Sequence, residues 1–204
     1  QSMDYCTFGS GQRTLVILPG VSLNKVSDKV QAIAQQYALF EDSFTTYLFD
    51  RKNNFDASYS VEEMAEDTVC AIQALGLGAS YFMGMSQGGS IAQVIAMRHP
   101  ELVWKLVLVC TASRPNDVML KTVGQWILYS QAEDCYSLVH TMVPRFFTDE
   151  FVVSNDLIQL FLQNQPTQED LRRFIITCEA QLRFNAYDQL DQISMPVLVL
   201  GAGD

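Results

Sequence analysis

Short apolar runs alternate with segments of helical periodicity along the first 112 residues of the chain. Runs of this length, bounded by turn-forming residues, predict strands that are covered on both faces. The apolar runs lie at residues 14–18, 45–49, 81–85 and 105–110, and the helical patterns lie at residues 26–37, 60–75 and 90–99. This alternation predicts a mostly parallel sheet with helices on both faces, the α/β fold class.

One further strand is predicted at the start of the chain, at residues 3–8. Only a glycine-rich segment, residues 9–11, and two more residues separate it from the run at residues 14–18. Two apolar stretches around a glycine-rich turn are typical of a β-hairpin, so we expect these two strands to pair.

Capping residues set the expected limits of two helices. Ser60 with Glu63 three residues later forms a capping box, in which each side chain satisfies a free backbone N–H of the other, and Gly76 supplies the stop. Thr167 with Asp170 forms a second pair of this kind farther along the chain. Helices are therefore expected to follow Ser60 and Thr167 directly.

The character of the chain changes after residue 112. Residues 113–190 show helical patterns rich in aromatic side chains and no good strand, and an apolar run resumes at residues 196–200. We therefore expect a core of residues 1–112 and 191–204, with residues 113–190 inserted as a helical cap, or lid.

Composition and charge narrow the classes of function. The 13 basic and 23 acidic residues give a net charge of −10, which argues against binding to nucleic acid or to an anionic membrane surface. The longest apolar run, residues 102–110, is too short to span a bilayer. Five scattered cysteines without a paired motif are typical of buried free thiols, so we expect a cytoplasmic protein. The two histidines lie far apart, and we expect neither a metal nor another cofactor.

The strongest chemical signal is the segment Gly84-Met85-Ser86-Gln87-Gly88, a G-x-S-x-G motif between a predicted strand and a predicted helix. In this context the serine lies on a sharp, strained turn that projects its hydroxyl above the sheet, and the flanking glycines leave room for that turn. Such a serine is a candidate nucleophile. The alternative is a glycine-rich turn with an incidental serine.

Acyl transfer also requires donors for the developing oxyanion. The Gln87 N–H at the start of the helix is one candidate. The Val21 N–H, in the loop after the strand at residues 14–18, is the other, because Gly20 lets that loop turn inward. A plain strand-ending Pro-Gly turn is the alternative. Asp50-Arg51, which follow a predicted strand, are interpreted as part of a solvated loop, with a place at the mouth of a pocket as the alternative.

Taken together, residues 15–22, 59–112 and 195–204 resemble the α/β-hydrolase superfamily in its lidded, lipase- and esterase-like branch. The resemblance implies that Ser86 is the nucleophile and that Asp204, after the last predicted strand, is the acid of a Ser-Asp-His triad. It implies hydrolysis of a small carboxylic ester or related acyl bond through an acyl-enzyme. An ordinary polar residue in a glycine-rich turn is the alternative for Asp204.

The histidine departs from the family's pattern, which places it after the acid and one further strand. His99 lies at the far end of the helix that follows Ser86, roughly 20 Å away at about 1.5 Å per residue. His140 lies in the expected cap, where a surface or packing role is favoured over reaching the serine. Either the given chain lacks the last strand and helix, or a complete chain acts without the usual base. We favour the first interpretation, because natural proteins avoid exposed apolar edge strands.

Other functions remain open at this point. The same turn serves lactonase and lyase chemistry, and a hydrolase-like fold can also bind a ligand without turnover. Residues 201–203 follow a strand as Gly-Ala-Gly, so a dinucleotide-binding protein is a remote alternative. The expected partner is a small-molecule ester or acyl substrate, and the oligomeric state is left open.

Overall fold

The computed structural model describes residues 2–25 and 30–201, so the expected start of the first helix at Val26 lies outside the described residues. The strands are β1 (Met3–Phe8), β2 (Arg13–Leu18), β3 (Phe44–Lys52), β4 (Ser80–Met85), β5 (Val103–Val109) and β6 (Val197–Leu200). The α-helices are α1 (Val30–Gln36), α2 (Val61–Ala74), α3 (Gln87–Arg98), α4 (Asp117–Gln131), α5 (Cys135–Phe146), α6 (Asp149–Ser154), α7 (Leu157–Gln163) and α8 (Gln168–Arg183).

The strands form one sheet in the order β1-β3-β2-β4-β5-β6. Strand β1 is antiparallel to β3, and all the other neighbours are parallel. Successive residues of β2 pack into different clusters: Val16 and Leu18 join the cluster that holds the apolar faces of α2 and α3, whereas Leu15 and Ile17 join the one that contains α1 residues. Because side chains alternate across a strand, the sheet is covered on both faces. The predicted fold class is confirmed.

The predicted β-hairpin is wrong, because β3 lies between β1 and β2. Cys6 pairs with Leu48 of β3, and on the other edge Val16 pairs with Tyr47. The glycine-rich segment does not close a tight turn; its Ser10 N–H donates to the Glu41 carbonyl oxygen (2.9 Å), just before β3 begins. The buried β2 needs a neighbour on each edge, and the long β3 pairs with both earlier strands at once.

Strand β3 is also longer than predicted. It continues past Phe49 to Lys52, which pairs with Met3 of β1. Asp50 and Arg51 therefore lie in the sheet, and the interpretation of these residues as a solvated loop is wrong: Arg51 is only 7% exposed.

Helix limits follow the capping signals closely. The Glu63 N–H donates to Ser60 Oγ (3.1 Å), and the Ser60 N–H donates to Glu63 Oε2 (2.8 Å), so α2 begins at the next residue after its cap. The Thr167 and Asp170 pair closes the same box at the start of α8. Helix α3 begins at Gln87, three residues earlier than predicted, so it starts immediately after Ser86.

Helices α4 to α8 fill the chain between β5 and β6, where the sequence predicts a helical cap. Helix α8 connects this layer to the sheet: Phe174 and Cys178 pack with α4 and α5, whereas Ile176 and Ala180 pack in the cluster of the sheet. Helix α8 therefore contacts both the helical layer and the sheet core. The limits of a separate cap at residues 113–190 stay a prediction.

Candidate active site

Ser86 joins β4 to α3 in a strained conformation, with φ 49° and ψ −121°. A non-glycine residue rarely adopts a positive φ, and such residues persist only where their surroundings hold them. Here the Ser86 N–H donates to the Val109 carbonyl oxygen (2.9 Å), and Thr111 Oγ1 donates to the Ser86 carbonyl oxygen (2.7 Å). Hydrogen bonds to the backbone of β5 and from the Thr111 side chain just after it therefore fix the turn at the carboxyl edge of the sheet.

The glycines on either side of Ser86 allow close backbone contacts. A Cβ at Gly84 would lie 2.5 Å from the Gly88 carbonyl oxygen and 2.6 Å from the Gly89 Cα. A Cβ at Gly88 would overlap the Leu18 carbonyl oxygen. Both glycines thus serve close approach of the elements around Ser86, since neither has a positive φ.

The loop after β2 packs directly against Ser86. A Cβ at Gly20 would lie 3.1 Å from Ser86 Cβ and 3.5 Å from Ser86 Oγ. Val21 lines the same cavity as Ser86. The Gln87 N–H lies in the first turn of α3, where backbone N–H groups have no acceptor within the helix. The structure therefore brings the nucleophile candidate and both predicted oxyanion donors to one place.

A cavity of about 290 Å³ opens beside Ser86. Its remaining lining comes mainly from α4, the end of α5 and α8: Asn116, Val118, Met119, Thr122, Val123, Trp126, Arg145, Phe146 and Gln181. The lining is mostly apolar, and the rings of Trp126 and Phe146 lie 5.7 Å apart between centroids. An apolar cavity with a few polar groups is typical of a site for a small organic ligand.

The other expected triad members do not complete the site within the described residues. Asp204 lies outside them, as do Ala202 and Gly203 of the Gly-Ala-Gly segment. His99 caps the far end of α3, with its Nε2 3.0 Å from Glu66 Oε2. His140 is exposed on α5. Neither histidine lines the cavity beside Ser86.

Sequence reasoning favoured a solvated loop for Arg51 and kept a place at a pocket mouth only as the alternative, whereas the structure buries Arg51 close to this site. Its Nη2 donates to the Pro19 carbonyl oxygen (2.8 Å) and to Gln87 Oε1 (3.2 Å). Gln87 Nε2 in turn donates to the Thr177 carbonyl oxygen on α8. Burial lowers the pKa of Arg51, Asp50 and Tyr59 oppose this effect, and Arg173 adds to it. The one available signal was a basic residue close after an apolar run, at the edge of the sheet where Ser86 lies.

Other expectations about chemistry are met only in part. Cys6 and Cys178 are buried, but Cys70 and Cys110 are exposed, so the expectation of buried thiols is wrong for that pair. Among the described residues, no three His, Cys, Asp or Glu side chains are grouped closely enough to hold a metal ion. Within the same ranges no helix is both long and apolar enough to cross a membrane. The cytoplasmic location stays a prediction.

A serine on a strained strand-to-helix turn, at the carboxyl edge of a mostly parallel sheet, defines the class of α/β proteins that carry a nucleophile elbow. The family model of the alpha/beta hydrolase fold matches residues 13–204. This chain therefore belongs to the α/β hydrolase fold family, as the resemblance in its sequence indicates.

Individual relatives are hydrolases by name. The chain is 24% identical over 209 residues to 3-oxoadipate enol-lactonase 2 of Acinetobacter baylyi, covering all of this chain and 76% of that protein. It is 41% identical over 152 residues to a Caulobacter segnis protein named as a carbamate hydrolase, RutD, covering 72% of this chain and 55% of that protein. The predicted class, an α/β-hydrolase type of enzyme, is confirmed, while the chain spans only part of each relative.

Solved structures share the fold. The enol-lactonase from Burkholderia xenovorans LB400 superposes with a TM-score of 0.80 at 20% identity, covering 97% of this chain and 76% of that one. The α/β hydrolase MGS-M2, from a Medee basin deep-sea metagenome library, gives a TM-score of 0.84 at 18% identity, covering 97% and 74%. At these identities the likeness concerns the fold.

Proposed function

We propose that this protein, in its natural full length, is a serine hydrolase that cleaves a small carboxylic ester or related acyl bond through an acyl-enzyme on Ser86. The observation that carries the proposal is the strained backbone of Ser86, φ 49°, at the wall of an apolar cavity of about 290 Å³. Strain of this kind at a cavity wall points to function, because it opposes folding.

The proposed reaction follows from the placement of these groups. Ser86 Oγ attacks the substrate carbonyl carbon while its proton passes to a base, and the N–H groups of Val21 and Gln87 donate to the oxyanion. The alcohol leaves with a proton, and water then hydrolyses the acyl-enzyme. Asp204, which follows β6, is proposed as the acid that orients the base. His99 and His140 are not proposed for that role, since neither lines the cavity.

The relatives support two kinds of acyl bond. The lactonase match extends over the whole chain, which favours an ester or lactone. The match to the protein named as a carbamate hydrolase has the higher identity, which favours a carbamate as the second candidate. All three substrates present a carbonyl carbon to the same nucleophile. A panel of p-nitrophenyl acetate, dihydrocoumarin and an aryl carbamate separates them by kcat/KM.

Covalent labelling tests the mechanism. A fluorophosphonate should modify Ser86, with the modified peptide identified by mass spectrometry, and Ser86→Ala should lose labelling and reduce hydrolysis on the order of 10⁶-fold. The matched control is Ser113→Ala at the same edge of the sheet, where the backbone carbonyl rather than the hydroxyl makes the bond to Ala186. Labelling that persists in Ser86→Ala, or is absent from the natural protein, would refute the proposal.

A further inference from the structure

The burial of Arg51 is unfavourable for the stability of the fold. The Arg51 side chain is buried, yet its Nε has no hydrogen-bond partner among the described residues. Burying a guanidinium costs far more than burying an apolar side chain of similar size, and an unpartnered N–H adds to that cost. Stability alone therefore does not account for an arginine here, and its hydrogen-bond partners indicate another role.

The two groups that Arg51 binds belong to the two elements that carry the oxyanion donors. The Pro19 carbonyl lies two residues before Val21, and Gln87 follows Ser86. A single nitrogen, Nη2, contacts both. Because the peptide unit is planar, a fixed Pro19 carbonyl also fixes the Gly20 N–H, and only the two backbone dihedrals of Gly20 then separate this plane from the Val21 N–H.

Few polar contacts hold the Pro19 end of this loop. Within the described residues, Ser22 and Asn24, two residues apart, are joined by side-chain hydrogen bonds, and Lys25 Nζ at the far end donates to Asn53 Oδ1 (2.8 Å) just after β3. None of these bonds involves Pro19, Gly20 or Val21. The bond from Arg51 is thus a polar link between the Pro19 end of the loop and strand β3.

Gln87 extends the arrangement to the helical layer. Its side-chain oxygen accepts from Arg51 and its side-chain nitrogen donates to the Thr177 carbonyl on α8, so both ends of the amide are occupied. Helix α8 contacts α4, whose Trp126 lines the cavity. A shift of α8 would therefore move Gln87 and, through it, Arg51.

We propose that Arg51 is a positioning residue, which holds the Pro19–Val21 loop and the start of α3 in the relative positions that oxyanion stabilisation requires. Gln87 couples these positions to α8. The proposal rests on the proposed function of Ser86. Arg51 does not line the cavity beside Ser86, so it acts through the backbone of the loop.

The experiment compares Arg51→Gln and Arg51→Lys with a matched control, Arg173→Gln. Arg173 also donates to backbone carbonyls, those of Lys52 and Asn53, and within the described residues no hydrogen bond joins it to the loop or to Gln87. Two readouts are used on the natural full-length protein: kcat and KM for p-nitrophenyl acetate, and amide hydrogen exchange of residues 19–25.

In Arg51→Gln we expect faster exchange in residues 19–25 and a fall in kcat of roughly 10- to 100-fold, with KM within about twofold of the natural value, because only the transition state is affected. Arg51→Lys should recover part of kcat, since it keeps the charge but lacks the planar fork. Arg173→Gln should leave both readouts unchanged.

Equal falls of kcat in Arg51→Gln and Arg173→Gln would overturn the proposal, and so would unchanged exchange of residues 19–25 in Arg51→Gln. A fall in thermal stability with natural kcat for the folded fraction would overturn it too, because that is the result of a purely structural role. Hydrolysis that does not depend on Ser86 would refute the proposed function instead, and loop exchange would still decide whether Arg51 holds the loop.

Discussion

Substitution of Gly84 by alanine tests whether close packing shapes the turn at Ser86. The added Cβ would lie 2.5 Å from the Gly88 carbonyl oxygen and 2.6 Å from the Gly89 Cα, whereas ordinary contacts begin at 3.4 Å. The overlap is 3.4 − 2.5 = 0.9 Å, and the atoms it meets are backbone, which cannot rotate away. The φ of Gly84 is not positive, so the effect is steric and not conformational.

Overpacking of this kind costs typically 1–3 kcal/mol, and the fixed backbone places Gly84→Ala near the upper end, at about 3 kcal/mol. For a chain of this size each kcal/mol corresponds to roughly 2–4 °C in Tm, so we expect a decrease of about 6–12 °C. Relief of the overlap by roughly 1 Å of movement would displace Ser86 and lower kcat by on the order of 100-fold.

The matched control is Gly124→Ala, the same chemical change in the middle of α4, where an added Cβ meets nothing within 4 Å. Alanine is favoured over glycine in a helix by about 1 kcal/mol, so this variant should be more stable than the natural protein. Urea unfolding followed by circular dichroism measures both. Steric overlap is refuted if the free energy of unfolding of Gly84→Ala lies within about 0.5 kcal/mol of the natural value, the usual effect of a surface substitution. It is also refuted if both variants lose stability equally.

Two further predictions concern stability. Ser60→Ala removes one half of the capping box of α2 and should lower the free energy of unfolding by about 1 kcal/mol in urea, with an unchanged value counting against the box. Burial raises the pKa of the Cys178 thiol, so as the pH rises the unfolded chain releases this proton before the folded protein does. The contribution of this thiol to the free energy of unfolding is therefore fully present below the unfolded pKa of about 8.5. Above that pH it falls by about 1.4 kcal/mol per pH unit. Cys178→Ala should reduce that slope between about pH 8.5 and 10, and an unchanged slope would count against this explanation.

Features that depend on neighbouring residues were predictable from the sequence. The capping box at Ser60, the buried β2 and the turn at Ser86 each follow from a few consecutive side chains, and the structure contains all three. The pairing of β1 was not predictable in this way, because the choice between β2 and β3 depends on contacts some 40 residues apart. The local sequence pattern favoured pairing of β1 with β2. In the structure β2 has β3 and β4 as its neighbours, so β1 pairs with β3 instead.

Arg51 shows the same limit at the candidate site. Polar residues after an apolar run are usually exposed, which is why this position was interpreted as a loop. Strand β3 continues through this position because β1 pairs with it as far as Lys52, and the Arg51 side chain is buried against the Pro19 loop and Gln87. Contacts between residues far apart in the sequence therefore decide both the length of β3 and the place of Arg51 beside the site.

Gln87 combines what sequence can and cannot reveal within one residue. Its backbone N–H follows from the motif, since any residue after the serine begins the helix and presents that group. Its side chain occupies a variable position of the motif, and the motif carries no information about it. In the structure that side chain joins Arg51 to α8 by hydrogen bonds at both ends of its amide. The residue type at this position therefore determines whether Arg51 and the helical layer are linked. Variation at this position among related hydrolases should therefore follow the residue at position 51 and the placement of α8, and not the chemistry at Ser86.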